Sequence, residues 1–349
     1  MIQAVHSAEH RGLQDLRGAS AKTIPFVRDV VQVPLSLANV FLVGPPNAPD
    51  RTWAIVDAGL PTSAARIERA ARDRFGPGSR PAAIVLTHGH FDHVGSVKRL
   101  AVRFDAPVFA HPLELPYLTG LSSYPPPDPS VGGGLMSCVS RFFPRGPIDL
   151  GEDVFQLPRD GSVPGMPGWL WLWTPGHTPG HVSFFRMEDR ALIAGDAFVT
   201  VKQESAASAL LWKRRVSGPP AYWTTDWSRA RRSVEILATL NAGAAATGHG
   251  PPLYGDEIRS GLRELAERFG DAMPRRGRYV RRPALADATG VLSVPPPVLD
   301  RTLLFSALGL AGLGTALFIA SRGRSARSRS ASCLSFRTPR GAPARRSRG

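Results

Sequence analysis

Short apolar runs alternate along this chain with stretches whose apolar residues recur every three or four positions. Residues 27–33 and 38–43 are rich in β-branched and apolar side chains and are separated at Pro34. Residues 53–56 form a third such run before Asp57-Ala58-Gly59. Three closely spaced runs of this kind predict an antiparallel start to a sheet. Thr62 or Ser63 then offers a hydroxyl to cap a helix reaching Phe75, with Ala64, Ile67, Ala71 and Phe75 on one face. Strand 83–86 leads to a helix over 94–104, in which Val94, Val97, Leu100, Ala101 and Phe104 keep helical spacing. Residues 107–111 predict another strand, and His111 at its end is read as structural.

The pattern then breaks. Residues 120–147 carry Pro125-Pro126-Pro127, Gly132-Gly133-Gly134 and isolated apolar groups such as Leu135, Met136, Phe142 and Phe143. This predicts a long loop or short-helix insert, and an apolar insert of that length is expected to serve as a substrate lid. Residues 169–173 alternate tryptophan and leucine and predict a core strand buried on both faces. Strands follow at 182–185 and 191–194, a helix at 228–240, a strand at 244–246 and a closing helix at 256–269 with Glu264 and Arg268 four residues apart. Between them, 199–227 form a second insert with Gln203, Glu204, Trp212, Tyr222, Trp223 and Trp227. The order of elements fits an α/β (α+β) fold, a sandwich of two sheets flanked by helices with the polar site at one edge.

The chemistry concentrates in Thr87-His88-Gly89-His90-Phe91-Asp92-His93-Val94-Gly95. Four metal-ligand side chains fall within six residues, and three of the chain's nine histidines are among them. In an extended segment His88 and His90 point one way, while Asp92 and His93 swing to the other side as a helix begins, so two neighbouring cation pockets result. Imidazole nitrogen and carboxylate oxygen suit zinc and similar divalent ions. Downstream, Thr174-Pro175-Gly176-His177, Gly195-Asp196 and Thr247-Gly248-His249-Gly250 each set a ligand-type residue beside glycine after an apolar run.

These motifs, over about residues 25–270, resemble the metallo-β-lactamase superfamily in its dinuclear His-x-His-x-Asp-His form. The resemblance implies a four-layer αββα sandwich and two divalent ions, zinc first, with iron or manganese as alternatives. It implies that His88, His90 and His177 hold one metal, that Asp92, His93 and His249 hold the second, and that Asp196 bridges them. It also implies that Asp57 supports the metal loop from behind. An ordinary turn aspartate before glycine is the other reading of that residue. His181 is read as a supporting or core residue. Quorum-signal lactonases, which the segment 177–183 is similar to, carry a tyrosine three residues beyond the bridging aspartate, where this chain has Val199. No glutathione-binding helical domain of the glyoxalase II type and no nucleic-acid-binding insert is recognised.

Composition changes this picture only at the ends. A 349-residue chain with 43% hydrophobic residues has room for one large domain with appendages. Two cysteines, Cys138 and Cys333, make no disulfide framework and fit a reducing compartment. The formal charge of +15 suggests nucleic acid until its location is checked: nine arginines and no acid lie in 321–349, so the rest of the chain carries +6. No specific nucleic-acid partner is expected. Residues 1–24 show no signal peptide and predict an arm, and a cytoplasmic setting follows. Residues 271–302 read as a basic, proline-rich linker. The uncharged stretch 303–320 would span about 27 Å as a helix, near the roughly 30 Å of a hydrocarbon core, and is a candidate transmembrane helix before an arginine-rich disordered tail.

The expected function is hydrolysis of a small ester, lactone or thioester by a hydroxide bridged by two zinc ions, with Asp92 as ligand and proton acceptor. Phosphodiester or nuclease chemistry, and a non-hydrolytic metal-binding or sulfur-oxidising protein, are the alternatives.

Overall fold

The computed structural model describes residues 23–132, 134–201 and 214–298. Seven strands pair side by side in chain order: β1 (Ile24–Val27), β2 (Val30–Pro34), β3 (Asn39–Val43), β4 (Ala54–Val56), β5 (Ala83–Val85), β6 (Val108–Ala110) and β7 (Val154–Gln156). The first four are antiparallel and the last four parallel. The connections require this, because hairpins reverse a chain while helical crossovers return it in the same direction. The crossovers are α1 (Ala64–Phe75) after β4, and α2 (Phe91–Val94) with α3 (Val97–Phe104) after β5. The run 27–33, expected as one strand, is a hairpin turning at Arg28 and Asp29. The helix expected over 94–104 is interrupted at Gly95 and Ser96, where the Ser96 hydroxyl donates to the carbonyl of Leu60.

The insert after β6 folds into short pieces, α4 (Leu115–Leu118) and α5 (Leu135–Val139), joined by 3-10 turns. A second sheet contains β8 (Trp169–Trp173), β9 (Val182–Arg186), β10 (Ala191–Ile193), β11 (Ala244–Ala246) and β12 (Leu253–Tyr254), with β8 and β12 at its edges. Its outer face carries α6 (Trp227–Thr239) and α7 (Gly255–Glu267).

Side-chain alternation decides the layering. In β3, Val40 and Leu42 join Ile55 and Ile84 against Ile67, Phe75, Val97 and Leu100 of the first helices. Phe41 and Val43 point the other way, meeting Val182, Phe184, Ala191 and Ile193 of the second sheet. On the far side Phe185, Leu192 and Ala245 meet Trp227, Val234, Leu237 and Ile258. The layers therefore run helix, sheet, sheet, helix. Each such side chain stabilises the fold by roughly 1.5–3 kcal/mol on leaving water.

Two expectations are corrected. Strand β8 is not buried on both faces: Leu170 is 41% and Trp173 44% exposed. It pairs fully only with β9 and touches Ser162 through a single bridge on its other side, so it is an edge, and the indoles of Trp171 and Trp173 donate to the carbonyls of Pro158 and Pro179. The stretch 271–302 is not a loose linker over its described part. It forms the hairpin β13 (Leu285–Asp287) and β14 (Gly290–Ser293), buries Tyr279, and packs Val280, Ala284 and Val294 on the second sheet's helices. The Tyr279 hydroxyl donates to the carbonyl of Pro126 at 2.6 Å, and the Val291 amide donates to Ser122 Oγ at 3.1 Å. The basic and proline-rich composition hid these spaced apolar anchors. A chain ended after Val298 is expected to keep its urea midpoint, and one ended after Gly270 to lose at least about 3 kcal/mol. Equal midpoints would show that this segment adds nothing.

Among the described residues no helix is long and apolar enough to cross a membrane. The arm 1–22, the segment 303–320 and the tail 321–349 lie outside the described residues, as do Gln203, Glu204 and Trp212 of the second insert.

Candidate metal centre

The seven ligand candidates arrive at one place from four loops, each following the C-terminal end of a strand. His88 and His90 follow β5, with Asp92 and His93 in α2; His177 follows β8, Asp196 follows β10 and His249 follows β11. His90 Nδ1 lies 3.0 Å from both His88 Nε2 and His177 Nε2. Asp92 Oδ2 stands 3.7 Å from His249 Nε2. Asp196 Oδ2 is 3.1 Å from His249 Nε2, 3.5 Å from His177 Nε2 and 3.6 Å from His93 Nε2. It thus lies between the trio His88, His90, His177 and the trio Asp92, His93, His249, each compact enough to hold an ion.

The surrounding hydrogen bonds orient the imidazoles. Asp57 accepts from the Thr87 amide, the Thr87 hydroxyl and His93 Nδ1, each at 2.8 Å. Because the Thr87 proton goes to that carboxylate, its oxygen accepts from His88 Nδ1 at 3.0 Å. His249 Nδ1 donates to the carbonyl of Leu37 at 2.6 Å. The Thr224 hydroxyl donates to the carbonyl of Pro220 and accepts from His177 Nδ1. Four imidazoles therefore keep a proton on Nδ1 and turn Nε2 into the cluster. His93 Nε2, turned into the cluster, and Asp196 Oδ1 have no hydrogen-bond partner, although both residues are buried. Converging lone pairs with unsatisfied buried atoms are what a cation would complete, so the donor set fits divalent metals.

The charges agree. Burial, joined by the neighbouring imidazoles, holds His88 and His90 far below the usual histidine range, and burial pushes His177 down to about 3. At His93 burial works the same way but is outweighed by Asp196, Asp57 and Asp92, which raise it well above its usual value. At His249 burial is outweighed by Asp196 and Asp92. This half of the centre calls for positive charge.

His181 lies behind Asp196: its Nε2 accepts the Asp196 amide at 2.8 Å, and its Nδ1 reaches the carbonyl of Thr174 at 3.1 Å. His111 is elsewhere in the contact network. Its ring stacks on Trp173 with centroids 5.4 Å apart, and its Nδ1 accepts from the Leu113 amide. Burial pushes it down to about 4. In the unfolded chain it takes a proton near pH 6.5, so stability is whole above that pH and falls toward pH 4 by up to about 3 kcal/mol. His111→Gln should remove this share of the acid slope in urea midpoints measured across that range, and an unchanged slope would contradict the burial argument.

Several neighbours were not anticipated. Trp223 and Tyr124 pack on the His90 ring with centroids 4.4 and 4.6 Å away, and Phe91 meets Phe143 at 5.4 Å. Glu114 is buried between the loops of His90 and His177. Its sequence signal is a single acid within Leu113-Glu114-Leu115-Pro116-Tyr117-Leu118. The backbone carbonyl of Leu37 has no such signal.

A family model described as the metallo-β-lactamase superfamily matches residues 33–249. The probable metallo-hydrolase YflN of Bacillus subtilis (strain 168) is 47% identical over 235 residues, 67% of this chain and 89% of that protein. The probable metallo-hydrolase YybB of the same organism is 34% identical over 168 residues, 46% of this chain and 67% of that protein. Among solved structures, BJP-1, a subclass B3 metallo-β-lactamase of Bradyrhizobium japonicum, is 18% identical and covers 73% of this chain and 94% of its own, with a TM-score of 0.49. TTHA1623 in a di-iron-bound form is 25% identical and covers 69% of this chain and 98% of its own, with a TM-score of 0.42.

Proposed function

The chain belongs to the metallo-β-lactamase superfamily and is a metallo-hydrolase, and on that premise we propose that it cleaves a small ester, lactone or thioester with two zinc ions. The observation that carries this reading is the placement of Asp196 Oδ2 within 3.1–3.6 Å of an imidazole nitrogen from each trio. His88, His90 and His177 would hold one ion, Asp92, His93 and His249 the other, and Asp196 both. An imidazole-rich set with carboxylate oxygens suits zinc and also admits iron or manganese. When bound, the ions supply a hydroxide at neutral pH and polarise the substrate carbonyl.

The chain's own residues divide the remaining work. Asp57 fixes the tautomer of His93, and through Thr87 that of His88. His181 orients the backbone of Asp196. The Asp92 side chain is 13% exposed, against 3% or less for the other ligands that pair with it and with Asp196, so it is the carboxylate nearest to solvent. That position suits it to take a proton as an adduct collapses. Trp223 and Tyr124 shield His90 from water, and Phe91, Phe143 and Tyr222 extend the aromatic surroundings. Apolar walls favour a carboxyl ester, lactone or thioester over a phosphodiester, whose charge calls for cations.

The test is metal analysis of the purified protein together with a panel of chromogenic carboxyl esters, lactones, thioesters and phosphodiesters. We expect two ions per chain and turnover of carboxyl substrates that a chelator abolishes. Turnover confined to phosphodiesters would replace the substrate class. A single iron per chain with no hydrolysis would sink the reading.

A further inference from the structure

Glu114 has four donors, all from parts of the chain that carry first-site ligands or close over them. Its Oε1 accepts from Thr178 Oγ1 and from the Gly180 amide, both at 2.8 Å. Its Oε2 accepts from the Gly89 amide at 2.9 Å and from the Tyr124 hydroxyl. Gly89 separates His88 from His90, while Thr178 and Gly180 follow His177. Glu114 thus hydrogen-bonds both loops from an element outside them. An ionised carboxylate has about four acceptor sites, so this donor set fills it.

The glycines mark how close the approach is. A Cβ on Gly180 would lie 2.9 Å from both the Glu114 amide nitrogen and Oε1, and one on Gly89 would lie 2.6 Å from the Tyr124 hydroxyl. Both contacts are closer than side-chain carbon tolerates. At these two positions the backbone is bare where the carboxylate and the phenol reach it.

We propose that Glu114 is a positioning residue for the first metal: it sets the spacing of the His88–His90 loop against the His177 loop, and with it the 3.0 Å separation of His90 Nδ1 from His177 Nε2. The proposal rests on the ligand assignment made above. Glutamine in this position turns an N–H pair toward one set of donors and loses acceptors on that side. Aspartate is a methylene too short to reach both loops.

The experiment uses full-length protein stripped of metal and titrated with cobalt(II) against a competing chelator. His249→Ala isolates the first site and His88→Ala the second. Adding Glu114→Gln to His249→Ala should weaken the remaining ion about 10–100-fold, as loss of an outer partner does. The same change added to His88→Ala should leave the remaining ion's affinity within about threefold. Asp57→Asn, which frees His93 and, through Thr87, His88, should by contrast weaken both sites. A merely structural role for Glu114 would weaken both sites alike or neither, and either result overturns the proposal. Should Glu114→Gln not fold, Thr178→Val removes one donor without changing shape and should weaken the first site several-fold; no change there would overturn the proposal as well. If His88→Ala and His249→Ala do not each leave one ion, the ligand assignment fails instead.

Discussion

Asp196→Asn is expected to release both ions and to lower kcat/KM by about a thousandfold or more, whereas Asp57→Asn should cost about 10–100-fold. The difference follows from position. Asp196 Oδ2 stands among the nitrogens of His177, His93 and His249, so an amide there takes charge and a lone pair from both sites at once. Asp57 touches no ligand atom that faces the cluster; it holds His93 and Thr87 from behind. Metal content and kcat/KM measured side by side decide the matter. Equal, mild losses from the two substitutions would mean that the bridging role is misassigned.

Chelation should lower the unfolding free energy by several kcal/mol, and His88→Ala or His177→Ala should bring two ions per chain down to one. Binding to the folded chain alone adds about 4 kcal/mol per ion at a free metal concentration a thousand times Kd. The candidate ligands come on loops from both sheets, so each ion would tie the halves of the sandwich together. Urea unfolding with and without chelator, paired with elemental analysis, reads both effects. A wild-type chain that holds one ion after remetallation would end the dinuclear reading.

The side chains that converge in the candidate centre were legible because five of the seven sit beside glycine after an apolar run and the other two, Asp92 and His93, follow directly in the same His-x-His-x-Asp-His segment, and that local pattern needs no tertiary information. Glu114, the Leu37 carbonyl and Thr224 were not, since their roles depend on partners tens of residues away or on backbone atoms. Strand β8 was misread for a related reason: alternating Trp and Leu shows that a strand is apolar, but not whether another strand lies beyond it. In 271–298 composition misled, because Tyr279 and Val280 supply anchors within a stretch whose overall chemistry is that of a linker. The hairpin at Arg28 and Asp29 was hidden by valines on both sides.

The open edge of β8 bears on how the protein keeps to itself. Unpaired backbone beside exposed apolar side chains is a template for another strand. Here Trp173 is roofed by His111 on one side and by the Arg229 guanidinium, 5.7 Å from its ring, on the other. A bulky cation on the rim opposes the approach of a second strand, so Arg229 is expected to limit self-association without touching the metal centre. Light scattering of concentrated Arg229→Ala should reveal more self-association than in the parent, with kcat unaltered; a variant that associates no more than the parent would show that the edge needs no guard.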